Sequence, residues 1–382
     1  MRQAPQTTVV ALAGIVGAAF IAAAALAGGA RIGTLGAIGL VAGLTLYHAA
    51  YGFASAWRQM ILTRRSLGVR AQIVMLGGAI VVFFPLLARG EFLGQPLSGF
   101  VNPVGVALCV GAVLFGVGMQ LGGGCGSGTL YAAGGGNSRM VVTLIAFICG
   151  SAVATANPFG WLSWPTIGAY SVIDELGMPA ALLCGLASLV LIYLLTIRIE
   201  ATAHRDVESI MQRGDWRLAR GPWPLLGGAL ALVLVNLATL VVAGRPWGIT
   251  SAFALWGAKV AALAGADVQS WVYWRDDAAL TTTVLADPTS VMDMTIMIGA
   301  FGASGLAGRF SPKVTIQPRL LVASLFGGLL MGLGARLSTG CNIGAFFSGI
   351  ASGSFHGLVW LIFAVAGTVI GVRLRPYFGM SG

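Results

Sequence analysis

Long apolar runs separated by short polar loops dominate this chain. Stretches of about 20 residues recur at 8–28, 32–50, 71–88, 103–121, 140–156, 176–197, 225–243, 291–308, 320–337 and 356–373, each long enough to cross the hydrocarbon core as a helix. Ten membrane spans are therefore predicted. Four further segments, 52–62, 122–136, 248–262 and 338–353, are too short or too rich in glycine to cross. They are expected to be re-entrant half-helices, since irregular backbone at membrane depth is tolerated only where it is buried in protein or lines a cavity.

Composition agrees with that pattern. Of 382 residues, 57% are hydrophobic and 9% charged, against about 25% charged in soluble domains. The expected fold class is an all-α polytopic membrane protein. The run at 8–28 is too long for a signal h-region and lacks a convincing cleavage site, so it is read as a retained helix. A net charge of +10 would point to nucleic acid in a soluble protein. Here most of the excess falls in short loops, where the positive-inside rule accounts for it, and no nucleic-acid partner is expected.

Loop charges set the predicted topology. Arg58, Arg64, Arg65 and Arg70 follow the second span, Arg198, Arg205, Arg213, Arg217 and Arg220 the sixth, and Arg309, Lys313 and Arg319 the eighth. These loops are expected in the cytoplasm. The loop 264–290 carries Asp267, Asp276, Asp277 and Asp287 against Arg275 alone and is expected outside. Ten spans then place both termini in the cytoplasm, in a cell inner (cytoplasmic) membrane.

The two halves repeat. Gly116-x-Gly118 precedes Cys125 and Gly128 at the same spacing with which Gly332-x-Gly334 precedes Cys341 and Gly344, and Gly52 to Trp57 resembles Gly248 to Phe253. Equivalent loops carry opposite charge, as inverted-topology repeats require, with the site at the midplane between them. The expected organisation is an extra N-terminal helix (1–31), a first repeat (32–156), a linking helix and cytoplasmic loop (157–224), and a second repeat (225–382).

Short helices are predicted at 129–133 and 345–350, with each repeated cysteine at or just before a helix start. Free N–H groups and the positive dipole end collect there. Glycines let an anion approach the backbone, and a thiol is a polarizable weak donor and acceptor suited to a sulfur-containing ligand. Gly124, Cys125, Gly126 and Gly128 in one half, and Gly340, Cys341, Asn342 and Gly344 in the other, are the candidate contacts. The alternative is that these glycines serve helix packing and the cysteines are small buried hydrophobes. Ser55 and Ser251 match across the repeat and either line the pathway or pack helices. Arg336, at membrane depth, is a candidate for steering an anion, and its counterpart Gln120 is a candidate hydrogen-bond partner. Lys259 either contributes or snorkels. Cys109, Cys149 and Cys184 have no repeat partner and read as core filler. The five cysteines are expected to be free thiols. No Cys/His cluster supports a metal site, and no cofactor or catalytic residue is identified.

At these residues the chain resembles the YeeE/YedE family of sulfur-transport membrane proteins. The resemblance rests on Gly-x-Gly-x6-Cys-x-x-Gly in each half and on the matched Ser-Ala-aromatic segments, and it covers most of residues 32–373. It implies an hourglass-like fold, re-entrant loops meeting at a constriction, and uptake of thiosulfate or a related sulfur compound past Cys125 and Cys341. It also implies, for some relatives, selenium handling or a small cytoplasmic sulfur-carrier partner. Family members carry a further cysteine in the first re-entrant segment, where this chain has Ser55. No nucleotide-binding motif is present. The reading from another class is a membrane-embedded thiol oxidoreductase using Cys125 and Cys341 as a redox pair, and a third is a scaffold subunit with vestigial pores.

Overall fold

The computed structural model describes residues 4–211, 217–275, 277–312 and 315–381, so Arg213, Asp276 and Lys313, used above to orient loops, lie outside it. The described chain is nearly all helical. In order it forms α1 (Thr7–Gly28), α2 (Ala30–Ala49), α3 (Phe53–Thr63), α4 (Leu67–Arg89), α5 (Val106–Gly122), α6 (Gly126–Gly134), α7 (Ser138–Thr155), α8 (Val172–Leu176) and α9 (Met178–His204). Then come α10 (Leu225–Ala243), α11 (Thr250–Leu263), α12 (Pro288–Leu306), α13 (Pro318–Leu337), a π-helical stretch Asn342–Ser348 running into α14 (Gly349–Ala351), and α15 (Phe355–Leu374). Two small antiparallel ribbons sit in the loops. One pairs β1 (Glu91–Phe92) with β2 (Gln95–Pro96), the other β3 (Pro103–Gly105) with β4 (Thr166–Ala169).

Among the described residues, nine helical stretches are long and apolar enough to cross a bilayer. The tenth predicted span, 291–308, corresponds to α12, which is less apolar because it contains Asp293, Thr295 and Ser304, all of them buried. The molecule is a multi-pass, all-α membrane protein.

Packing is reciprocal between the halves. α13 lies against α5 and α7, while α5 lies against α13 and α15; α12 packs on α2 and α1, while α4 packs on α10 and α9. Glycines make these approaches possible, as small residues do where lipid leaves no hydrophobic drive between helices. A side chain at Gly116 would run into the Ala364 carbonyl of α15, and one at Gly332 into the Phe147 carbonyl of α7. A Cβ at Gly118 would stand 2.7 Å from the Gly327 carbonyl of α13, and one at Gly334 2.6 Å from the Gly111 carbonyl of α5. The first two glycines of each repeated motif are therefore packing residues.

Two of the predicted basic loops share one face. Arg65 lies 3.2 Å from both Glu200 and Asp206, and buried Arg70 lies 3.1 Å from buried Glu200. Ser66 donates its hydroxyl to Glu200 at 2.5 Å, and His204 Nε2 lies 2.6 Å from the Thr63 carbonyl.

Candidate functional site

Each repeated cysteine caps a short helix. α5 ends at Gly123 (φ +90°) and α13 ends through Thr339 and Gly340 (φ +58° and +157°), conformations that reverse the chain. Cys125 (φ −83°, ψ −168°) and Cys341 (φ −120°, ψ −166°) then follow in extended backbone as N-caps. Helix begins directly after each, at Gly126 and Asn342, rather than at Thr129 and Ala345 as predicted. Both cysteines are 1% exposed and free.

The sulfurs face backbone N–H groups. Those of Gly128 and Phe53 point at Cys125, and those of Gly344 and Ile343 at Cys341. Ser127 Oγ lies 3.5 Å from Cys125 Sγ. A Cβ at Gly126 would stand 3.1 Å from Cys341 Sγ and 3.7 Å from Ile249, and one at Gly128 3.4 Å from Cys125 Sγ. Both thiols thus border the first turn of α6. Phe53 and Ile249 bring the starts of α3 and α11 to the same place. Four helix starts gather around the two thiols, and a helix start carries free N–H groups and a positive dipole end.

Two features beside Cys341 mark space for a guest. The Asn342 side chain is fully buried, yet neither its amide nitrogen nor its oxygen has a hydrogen-bond partner among the described residues. Leaving such a group unpaired costs about 1–3 kcal/mol. Gly344 is buried too, yet a Cβ there would have no atom within 4 Å.

The other candidates take supporting positions. Arg336 donates to Tyr273 Oη at 3.0 Å and to Thr250 Oγ1 at 2.6 Å, and its Nε is buried without a partner. Its counterpart Gln120 donates to the Ala54 carbonyl at 3.0 Å. Each therefore ties its helix to the start of the half-helix in its own half. Ser55 donates back to the Gly52 carbonyl at 3.1 Å, whereas Ser251 is exposed and is not brought to the thiols. Gly124 packs against the α6 backbone, where a Cβ would stand 3.3 Å from the Gly128 carbonyl carbon. Lys259 bonds the carbonyls of Leu280 and Thr282, at 2.8 and 2.7 Å. Cys149 and Cys184 are exposed and Cys109 is half-buried, which corrects the core-filler expectation. An apolar thiol on the outside of a membrane helix can face lipid.

Sequence reasoning missed an arginine group around the end of α5. Arg375 donates to the Gln120 carbonyl at 2.9 Å, Arg139 to the Leu121 carbonyl at 2.7 Å, and Arg58 Nη1 lies 3.5 Å from Gln120 Oε1. None of the three has a carboxylate partner among the described residues. Assigning Arg58 to the positive-inside loops concealed it. An aromatic cluster of Trp57, Phe346 and Trp360 closes the space beside α3, with Phe346 and Trp360 stacked at 6.4 Å. Asp293 was also passed over, although it is the one acidic residue inside the ten predicted spans.

Residues 48–370 match the family model described as sulphur transport. Over 345 residues, 86% of this chain and 94% of the relative, the chain is 24% identical to the thiosulfate transporter TsuA of Spirochaeta thermophila. Over 162 residues it is 28% identical to the probable transporter YedE of Escherichia coli, and equally to that of Salmonella typhimurium. Those matches cover 41% of this chain and 39% of the length of each YedE protein.

Proposed function

Because the chain belongs to the sulphur-transport family, we propose that it carries thiosulfate or a related sulfur-containing anion into the cell, past Cys125 and Cys341 at a central constriction. The observation that carries this reading is the meeting of four helix starts on two buried free thiols, beside an unpartnered Asn342 amide and the open space at Gly344. Helix starts attract the anion's charge. The thiols, as soft weak donors, select its terminal sulfur. Asn342 replaces part of the lost hydration. The name of the thiosulfate transporter relative, which aligns along most of both chains, supports the choice of anion.

The two halves act as inverted repeats about this site, in a cytoplasmic membrane with both termini inside. The reciprocal helix pairs support the repeat, and the ion pairs that join the basic loops 58–70 and 198–220 support their common side. On this reading Arg336 guides the anion from the outer face, and Arg58, Arg139 and Arg375 receive it at the inner face. A small cytoplasmic sulfur-carrier protein is a fitting acceptor there.

Uptake of radiolabelled thiosulfate into reconstituted vesicles tests the proposal. Cys125→Ala and Cys341→Ala are each expected to cut uptake strongly with folded yield kept, and Cys109→Ala and Cys184→Ala to leave it near wild type. Equal losses at all four positions, or sulfate competing as well as thiosulfate, would rule out selection by the two thiols.

A further inference from the structure

Asp293 is fully buried on α12, and neither of its carboxyl oxygens has a hydrogen-bond partner among the described residues. Its neighbours along the helix fix the direction in which it points. Residues 290, 293 and 297 lie along one side of the helix. Ser290 accepts from Trp256 of α11 at 2.8 Å, and a Cβ at Gly134 of α6 would run into the Met297 carbonyl. Asp293 therefore faces the gap between α11 and α6, two of the half-helices whose starts gather at the thiols. Its carboxyl lies within electrostatic reach of Cys341 and of Asp287.

The surrounding charges do not neutralise it. On α2, Arg31 is bonded to the Ala243 carbonyl, and Tyr47 and His48 lie at the far end. α1 has no titratable side chain. On α11, Lys259 is bonded to Leu280 and Thr282. On α6, Tyr131 and the cap Cys125 are neutral groups. Arg245 reaches Thr289, one turn before Asp293, at 3.1 Å and goes no further. A carboxylate left bare in such surroundings is very unfavourable, and the group avoids the cost by holding a proton.

We propose that Asp293 is a proton-binding site that couples entry of the anion to entry of a proton. A carboxylate within electrostatic reach of Cys341 would repel an incoming dianion there, whereas a protonated carboxyl does not. Proton and anion therefore each favour binding of the other, and the linkage is reciprocal. Asp293 takes a proton from the outer side, the anion binds, and both leave toward the inner side. One proton accompanies one dianion, so the net charge moved is −1. The inference rests on the transport reading above.

The test uses the full chain in vesicles, with labelled thiosulfate and the membrane potential clamped at zero. With one proton per anion, a gradient of one pH unit, acid outside, should concentrate the anion about tenfold inside wild-type vesicles. The anion should only equilibrate in vesicles carrying Asp293→Asn. Wild-type uptake that ignores the pH gradient would overturn the coupling while leaving transport intact, and needs no variant to observe. Asp293→Asn vesicles that still concentrate the anion would overturn the role of this residue. No uptake by wild type would remove the transport reading, and the coupling with it.

Discussion

Gly344→Ala should raise stability and lower transport together, a combination that simple damage to the fold does not produce. Gly344 is helical, buried, and has no atom within 4 Å of where a Cβ would stand. Alanine is better than glycine inside a helix by about 0.5–1 kcal/mol, and the added methyl buries apolar surface worth about 0.8 kcal/mol. A gain of about 1–2 kcal/mol is therefore expected, read as a rise in the thermal unfolding midpoint in detergent. The same methyl enters the space beside Cys341, whose thiol faces the Gly344 N–H. If the anion must pass there, the crowding costs about 1–3 kcal/mol. At about 1.4 kcal/mol per factor of ten, thiosulfate uptake at low concentration should fall about 5- to 150-fold. Uptake unchanged in a stabilised variant would mean that this space is not on the pathway. Lower stability would mean that it is not free.

Other expectations concern the charged residues. Arg336→Gln removes the bonds to Tyr273 and Thr250. It should raise the thiosulfate concentration for half-maximal uptake without abolishing transport, because the backbone N–H groups remain; an unchanged value would remove Arg336 from the pathway. Glu200→Gln leaves Arg70 buried without its carboxylate. It should cost about 3–5 kcal/mol, measured by denaturation, while uptake per folded molecule changes little. A variant as stable as wild type would show that the pair does not hold these loops together.

The spans were legible because the bilayer demands an apolar run of a certain length whatever the helix packs against. The site was less so. The repeated spacing located both cysteines, but the half-helices start directly after them, because Gly123 and Thr339–Gly340 reverse the chain and free the next turn. The motif glycines read alike in the sequence, yet Gly116 and Gly332 hold helices together while Gly126 and Gly344 border the thiols. That difference depends on which helix lies opposite, and no local pattern records it. The Ser55–Ser251 match concealed a difference as well, since one hydroxyl turns back to Gly52 and the other is exposed. Asp293 could have been found, because an acid inside a membrane span is a functional candidate in itself.

The placing of the arginines makes sense for a pathway that must release what it binds. Among the described residues, no guanidinium is among the groups that face the two sulfurs; Arg336 is held by Tyr273 and Thr250, and Arg375 and Arg139 by the carbonyls at the end of α5. A helix start acts as about half a positive charge. At about 4 Å and an effective dielectric of about 20, a unit charge pair is worth about 4 kcal/mol. A dianion thus gains about 4 kcal/mol from one helix start and would gain about 8 kcal/mol from a guanidinium at the same distance. The extra 4 kcal/mol would lengthen its stay about a thousandfold. Passage requires binding strong enough to enter and weak enough to leave. On the proposed pathway, partial charges and thiols at the centre, with full charges held to either side, meet both conditions.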